Sequence, residues 1–386
     1  MLVAIILWAI SAVFSLGLLG LSYIWARHNA GKPWKTRIDK DYRPKVSIIV
    51  PTYNESEVID YKLQNLARLD YPKSLTQIIV IDSRSTDSTL EKTQTFAKNH
   101  PEMNLNILVE NERLGKSSAL NKALKSCNGD IVIISDADCF WPSDILNKTL
   151  PYLADSTVGA ISGPKRLLNR EASSATRNEE TYLMSMNMIK LGESKSSSTT
   201  LFEGGFSAYK KEVLESFDPY TTGSDDSGTV IKLMEKGFRA IMIQEGEFFT
   251  VFPKTWRGRF TMKVRRAIQL ISVMKKHAAL LLKNQIKVGK NVVAKNVFLY
   301  MVSPLLFLLF LATTVYLMIQ FPLSVLTMLV FLIPRANTYL TEAILNYLIL
   351  LYALFSSLSR RKFIVWETSE DRTLLQPKIL AEKGLI

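Results

Sequence analysis

The residues of this sequence best suited to chemistry are carboxylates that follow short apolar runs. Asp136-Ala137-Asp138 follows the run Ile131–Ser135, and Asp82-Ser83-Arg84-Ser85-Thr86-Asp87 closes the run that begins at Ile78. Pro51-Thr52-Tyr53-Asn54-Glu55 ends the run that begins at Val46, and Ser224-Asp225-Asp226 precedes a helical stretch at about 227–236. Two aspartates spaced as Asp-x-Asp at a strand end can turn toward one ion. Their hard oxygens suit Mg²⁺ or Mn²⁺, ions that often bind through one or two carboxylates plus phosphates. A metal held there neutralises charge building on a departing diphosphate. Each site taken alone has a plainer use: Asp87, Asp225 and Asp226 can cap helices, and Asp136 and Asp138 can serve a turn.

The elements that position these residues alternate. Val46–Tyr53 reads as a strand, Glu55–Arg68 as a helix and Ile78–Asp82 as a strand. A helix over about Asp87–Lys98, a strand at Asn106–Val109 and a helix at Ser117–Ser126 follow, then strands at Ile131–Ser135 and Val158–Ser162. Such alternation implies an α/β fold with a mostly parallel sheet covered on both faces. The near-continuous apolar strand Ile131–Ile134 fits burial on both sides. Ligands of such sheets bind beyond the carboxyl ends of the strands, where the acidic residues collect. No Gly-x-x-x-x-Gly-Lys-Ser/Thr loop and no Gly-x-Gly-x-x-Gly after the first strand occurs, which argues against a P-loop NTPase and a dinucleotide-binding domain.

The remainder of the chain reads as membrane-associated. Residues 1–26 carry no charge, and 296–320, 322–334 and 339–358 are nearly uncharged apart from Arg335 and Glu342. About 20 apolar helical residues cross a bilayer. Segment 1–26 lacks the basic start and short apolar core of a signal peptide, so a retained anchor is expected. The seven Lys/Arg between Arg27 and Lys45 place that flank, and the domain after it, on the cytoplasmic side of a cell membrane crossed several times. Residues 254–290 hold eleven Lys/Arg and no acid, interleaved with Val264, Ile268, Ile271 and Met274. That pattern is a basic amphipathic helix on anionic lipid, so the net charge of +13 points to membrane lipids as partner and not to nucleic acid. Cys127 and Cys139 are expected as free thiols, and the three histidines show no metal-ligand spacing.

In their order, Pro51–Glu55, Asp82–Asp87, Arg113-Leu114-Gly115-Lys116 and Asp136-Ala137-Asp138 resemble the motifs of family 2 glycosyltransferases, the GT-A fold, over about Val46–Val251. The likeness is to the membrane-integrated group that includes cellulose, hyaluronan and chitin synthases and polyprenyl-phosphate glycosyltransferases. It implies a Rossmann-like domain at 45–253 between an anchor at 1–26 and an interfacial region at 254–290. C-terminal transmembrane segments within 296–358 and a tail at 359–386 complete the expected layout. It also implies a nucleotide-diphosphate sugar donor, most simply a UDP-sugar, a Mn²⁺ or Mg²⁺ cofactor, and a lipid or lipid-linked glycan acceptor.

Residue by residue, the resemblance puts Pro51, Tyr53 and Glu55 beside the nucleoside, Asp82 on the base and Lys116 near the phosphates. Asp136 falls on ribose or a metal-bound water, and Asp138 on the metal. Glu203-Gly204-Gly205 matches the acceptor-side segment, and Asp226 is the general base, eleven residues before Gly237, with Asp225 in place of the family's Glu. Two departures stand out. Ser83-Arg84 replaces the usual Asp-Asp or Asp-Gly. Processive members carry Gln-x-x-Arg-Trp where this chain has Lys263-Val264-Arg265-Arg266-Ala267, which keeps Arg266 for the diphosphate but lacks the Trp under the acceptor sugar. Trp256 is a weak substitute and a better membrane anchor. The expected activity is therefore inverting sugar transfer, with a processive polysaccharide synthase and a non-catalytic nucleotide-sugar-binding scaffold as alternatives. Three C-terminal spans would leave the basic Arg360-Arg361-Lys362 and Trp366-Glu367-Thr368 on the outer face, so 322–334 is expected to be re-entrant or to share a span.

Overall fold

The computed structural model describes residues 1–322, 334–357, 375 and 377–386. Nine strands are found there: β1 Val46–Thr52, β2 Thr76–Asp82, β3 Leu105–Val109, β4 Ile131–Ile134, β5 Val158–Ser162, β6 Lys165–Leu167, β7 Ser207–Lys210, β8 Arg239–Met242 and β9 Phe248–Thr250. The helices are α1 Leu2–Ala30, α2 Ile59–Ala67, α3 Thr89–Asn99, α4 Lys116–Leu124, α5 Ile145–Thr149 and α6 Ser174–Ser196. After them come α7 Ser227–Lys236, α8 Trp256–Leu282, α9 Lys290–Gln320, α10 Pro334–Ser356 and α11 Pro377–Glu382.

Seven strands form one sheet in the order β3-β2-β1-β4-β7-β5-β8, and β6 pairs with β9 in a small parallel ribbon. All ladders of the large sheet are parallel except those that β7 makes with β4 and β5. The expected mostly parallel α/β architecture is therefore present. The strands are β-branched runs whose residues alternate between two cores. Ile48, Val50, Ile78, Val80, Ile131 and Ile133 pack on one face against α2 and α5. Ile49, Ile79, Ile81, Val132 and Ile134 pack on the other against α4, α7 and the second half of α8. Both cysteines are free and buried.

Chain order reverses at β1: β2 and β3 lie to one side and β4 to the other. A crevice opens beyond the carboxyl ends at such a point. The antiparallel β7 adds to it, because its first residue, Ser207, lies opposite Ile134, so the segment just before β7 reaches the same edge as Asp136–Asp138.

Helices α1 and α9 are long and apolar enough to cross a bilayer, and Leu340–Ser356 is a shorter apolar helix. Ile6, Ile24, Leu305, Ile319 and Phe355 are among their exposed side chains. Each long helix contains a π turn, at Val13–Gly17 and Phe298–Val302. Such a turn loosens the i→i−4 ladder, and at Ser15 the carbonyl accepts the Tyr347 hydroxyl of α10 at 2.7 Å. Tyr347 also meets Ser303 of α9 at 2.9 Å, which ties the three helices together. Helix α1 then packs on α6 so closely that a Cβ on Gly192 would stand 2.1 Å from the Ala26 carbonyl oxygen; only glycine fits. The C-terminal residues return to the α/β domain: Leu375, Leu380 and Leu385 join its core, and Asn65 donates to the Leu385 carbonyl at 2.6 Å. Most of the segment 322–334, and the basic and Trp-containing motifs at 360–362 and 366–368, lie outside the described residues.

Candidate active site

The loop after β4 is built from below. Lys62 of α2, fully buried, donates from Nζ to Ser135 Oγ at 2.5 Å and to the Cys139 carbonyl at 2.6 Å, one contact on each side of Asp136–Asp138. Burial pushes the Lys62 ammonium down to about 7, against the opposing pull of Cys139, Asp136 and Asp138. Asn65 fixes the Trp141 backbone in both directions, and Trp141 Nε1 donates to the Gly205 carbonyl at 2.7 Å. The Asp-x-Asp loop and the Glu203–Gly205 segment are thereby held as one unit.

Above this floor, Lys116 at the start of α4 bridges two predicted site residues. Its Nζ lies 2.6 Å from Asp136 Oδ1 and 2.9 Å from Asp225 Oδ2. Burial alone would lower this ammonium, but Asp136 and Asp225 outweigh it and hold it well above its ordinary value. Burial likewise opposes ionisation of Asp136, and Lys116, helped by Lys165 and Lys62, keeps it below the usual carboxylate range. Asp225 goes the other way: burial first, and then Asp226 and Asp136, push it up to about 6 despite Lys116. A Cβ on Gly204 would stand 2.9 Å from Lys116 Nζ and 3.1 Å from Asp136 Oδ2, so a side chain here would press on this ion pair.

Asp226 is the N-cap of α7; its Oδ1 accepts from Ser224 Oγ and from the Ser227 backbone N–H, both at 2.5 Å. Capping and service as a base are compatible, because the cap engages one oxygen of the two. Gly237 ends the same helix in the left-handed region, φ +100°. Glu203 is held by Lys165 at 2.8 Å and Lys190 at 2.5 Å. Burial would raise its carboxyl, yet these two lysines, with Arg266, hold it far below the usual range.

Asp136, Asp138 and Cys139 place one ligand atom each within 4.8 Å of one another. The two carboxylates fit a hard divalent ion. Cys139 does not complete that set: burial, Asp138 and Asp136 push its thiol well above its ordinary value, and a protonated sulfur is a poor partner for Mg²⁺ or Mn²⁺.

On the nucleoside side, the loops after β1 and β2 knit together. Asp82 accepts from Ser85 Oγ at 2.5 Å, Ser85 N at 2.9 Å and Thr52 Oγ1 at 3.3 Å. The Glu55 backbone N–H donates to Thr89 Oγ1 at 2.7 Å, and Ser83 Oγ donates to Glu110 at 2.7 Å. Arg84 adopts a left-handed φ of +61°, and the Arg113 guanidinium stacks 3.5 Å from the centre of the Tyr53 ring.

A cavity of about 460 Å³ contains Lys116, Asp136, Asp138, Glu203, Gly204, Asp225, Asp226 and Arg266 in its lining. Pro51, Tyr53, Glu55, Asp82 and Gly205 do not line it, and neither does Trp256, which is exposed beside Arg259. The cavity runs on past Glu179 and Tyr182 of α6 to Leu19 and Ser22 of α1, Leu299 of α9 and Leu350 of α10. Along it, α8 departs from a uniformly lipid-facing basic helix. Arg259 and Lys263 turn inward, 1% and 7% exposed, onto Glu179 of α6 and Glu342 of α10. Sequence reasoning missed Lys62, Lys165, Lys190 and Glu179. None lies in a motif, and only the charge of Glu342 inside an apolar segment hinted that a cation must meet it.

The sequence profile described as glycosyltransferase-like family 2 matches residues 44–268. The chain belongs to this family. Among solved structures it is similar to the mannosyltransferase PcManGT from Pyrobaculum calidifontis in complex with GDP-Man and Mn²⁺, at 30% identity and TM-score 0.76, over 92% of this chain and all of that one. Among curated proteins it is similar to a beta-monoglucosyldiacylglycerol synthase of Synechocystis sp., 34% identical over 136 residues, 35% of this chain and 28% of that protein. It is also similar to the poly-beta-1,6-N-acetyl-D-glucosamine synthase of Staphylococcus aureus, 26% identical over 60% of this chain and 56% of that protein. The chain thus spans 28% and 56% of the lengths of these curated relatives.

Proposed function

We propose that the protein is a membrane-bound inverting glycosyltransferase that moves a sugar from a nucleotide-diphosphate sugar to a lipid or lipid-linked glycan acceptor. The observation that carries this reading is one cavity that joins Asp136, Asp138, Asp225 and Asp226 at the sheet edge to apolar residues of α1, α9 and α10. A water-soluble donor can enter at the acidic end and a lipid at the other.

The acceptor hydroxyl attacks the anomeric carbon and forms the new C–O bond while the bond to the β-phosphate oxygen breaks. The nucleoside diphosphate leaves, and the proton passes to Asp226, whose second oxygen is not spent on the cap. Asp225, on Lys116, links this base to Asp136 on the donor side. A divalent ion on Asp138, with Asp136 beside it, would supply charge neutralisation at the diphosphate. Lys116 and Arg266 add positive charge there. Tyr53, Glu55 and Asp82, with Pro51, shape the nucleoside side, and Glu203, Gly204 and Gly205 the acceptor side. The full-length likeness to a GDP-Man complex makes GDP-mannose the first donor to test, ahead of the UDP-sugars expected from sequence.

Residues 375–386 bear on the membrane path. The packing of Leu375, Leu380 and Leu385 on the α/β domain supports an even number of crossings after it. We assign them to α9 outward and α10 back, with α1 as the anchor and the domain and C-terminus both cytoplasmic. A processive synthase remains the second reading, supported by the Staphylococcus aureus relative. A product ladder supports that reading and a single added sugar the first.

The test is a donor screen in vesicles containing the protein, with GDP-mannose, UDP-glucose and UDP-N-acetylglucosamine and with Mn²⁺, Mg²⁺ or chelator. Metal-dependent consumption of one donor is expected; no consumption of any overturns the reading.

A further inference from the structure

The membrane-side part of the cavity is lined by two residues that each carry a buried polar atom without a hydrogen-bond partner among the described residues. Glu179 Oε1 and Ser22 Oγ are buried, in residues 0% and 8% exposed, and neither has a hydrogen-bond partner among the described residues. Both residues line the cavity, from α6 and α1 respectively. A buried polar atom without a partner is costly, so two such atoms in residues lining one cavity mark a place where a ligand completes the bonding. A carboxylate oxygen only accepts, and a serine hydroxyl accepts as well as donates. The missing partner therefore brings donors.

The charges of this wall narrow the class further. Lys165 and Lys190 already pair with Glu203. Arg259 and Lys263 already pair with Glu179 and Glu342. Arg266, assigned above to the donor diphosphate, comes no nearer to Glu179 Oε1 than 4.0 Å. An anionic headgroup placed against Glu179 Oε1 would meet an acceptor-only carboxylate oxygen. The reaction chemistry agrees. An alcohol must lose a proton as it attacks, which gives a carboxylate base a task. A lipid phosphate monoester, with a second pKa of about 6, is already ionised at neutral pH. Beyond Ser22 the wall turns apolar, with Leu19, Leu299, Ile349 and Leu350 contributed by three helices.

We infer that Glu179 and Ser22 form an acceptor-headgroup subsite for a lipid with an uncharged, hydroxyl-bearing headgroup, either glycerol or a sugar, and that lipid phosphates are rejected. The inference rests on the transferase reading above. The hydroxyls donate to Glu179 Oε1 and exchange a bond with Ser22 Oγ, while the chains lie among α1, α9 and α10.

The experiment uses the full chain in phosphatidylcholine vesicles, with the donor identified by the screen. Three vesicle sets carry diacylglycerol, monoglycosyldiacylglycerol or polyprenyl phosphate, and a fourth without added acceptor reports donor hydrolysis. Transfer to at least one hydroxyl lipid, tenfold or more above polyprenyl phosphate, is expected. The glycerol and glycosyl arms tell which headgroup is used. Ser22→Val and Glu179→Gln should each raise the acceptor KM several-fold with a smaller change in kcat. Ser22→Val breaks no ion pair and keeps the test open if Glu179→Gln fails to fold. Preference for polyprenyl phosphate, or an unchanged acceptor KM in Ser22→Val, overturns the inference and leaves the transferase reading intact. Absence of donor turnover in all four vesicle sets overturns that reading, and the inference with it.

Discussion

Two clusters in this protein set one cation between two carboxylates, one of them half-buried and the other almost fully buried, and they are built in opposite ways. In one, Lys116 lies between Asp136 and Asp225, with side chains 15%, 30% and 14% exposed. In the other, Arg259 lies between Glu179 and Glu342, at 1%, 0% and 13%. Lysine is a point charge on a flexible stem, so it can let go of a carboxylate when a metal or a diphosphate arrives. Arginine is a rigid fork: Arg259 binds Glu342 through two nitrogens at 2.8 and 2.9 Å and Glu179 through a third at 3.0 Å. In the proposed mechanism the lysine cluster sits where charge changes during the reaction. The arginine cluster joins α6, α8 and α10 where the α/β domain meets the apolar helices. Exposure and cation type, more than the number of charges, separate a cluster whose cation can change partners from one whose cation is locked in place.

That contrast can be broken in several ways. The largest effect is expected for Asp226→Asn, which should cut turnover by about 10²–10⁴-fold, the usual contribution of a positioned base. Its thermal unfolding should stay close to that of the parent, because asparagine also caps helices. Arg259→Met leaves Glu179 and Glu342 with Lys263 as their nearest remaining cation and should cost about 3–5 kcal/mol in denaturant unfolding in detergent. Lys116→Met should lose activity with a clearly smaller loss of stability. Equal destabilisation by the two lysine and arginine changes would erase the distinction between the clusters. Lys62→Met removes the support beneath the Asp-x-Asp loop and should weaken the apparent Mn²⁺ affinity by about 10–100-fold, as loss of outer partners of metal ligands does.

The smallest effect concerns pH. Asp225 is pushed up to about 6, first by burial and then by Asp226 and Asp136. Its charged form, which holds Lys116, is therefore lost as pH falls through 6. The kcat/KM profile should bend there and decline on the acid side, and Asp225→Asn should remove the bend. A flat profile down to pH 5 in the parent would contradict this assignment.

The sheet and its acidic edge were legible in the sequence because both are local. Ile131–Ile134 is apolar on both sides and Asp136–Asp138 follows at once, so strand and site are read from one short stretch. What was illegible depends on contacts between distant segments. Lys62 reaches Ser135 and Cys139, 73 and 77 residues away, and Arg259 reaches Glu342, 83 residues away. In sequence, Arg259 and Lys263 look like further positive charges on a lipid-facing helix. Only the fold reveals the carboxylates that draw them inward. Glu342 shows the same limit from the other side: its cost in an apolar segment was visible, and its compensation was not. The antiparallel β7, which brings Glu203–Gly205 to the site, carried no sign of its direction in four residues. The docking of Leu380 and Leu385 on the core of the α/β domain was also hidden, since a short apolar tail has many places to pack.

The central claim is that the edge beyond β1 and β4 is a metal-assisted donor site opening toward a lipid acceptor. Sugar transfer by the vesicle-embedded protein, measured across a Mn²⁺ and Mg²⁺ titration for the parent and Asp138→Ala, tests it most directly. The account predicts saturable metal dependence in the parent, loss of transfer with chelator, and no transfer by Asp138→Ala at any metal concentration that saturates the parent. Undiminished transfer with chelator, or full activity in Asp138→Ala, would contradict it.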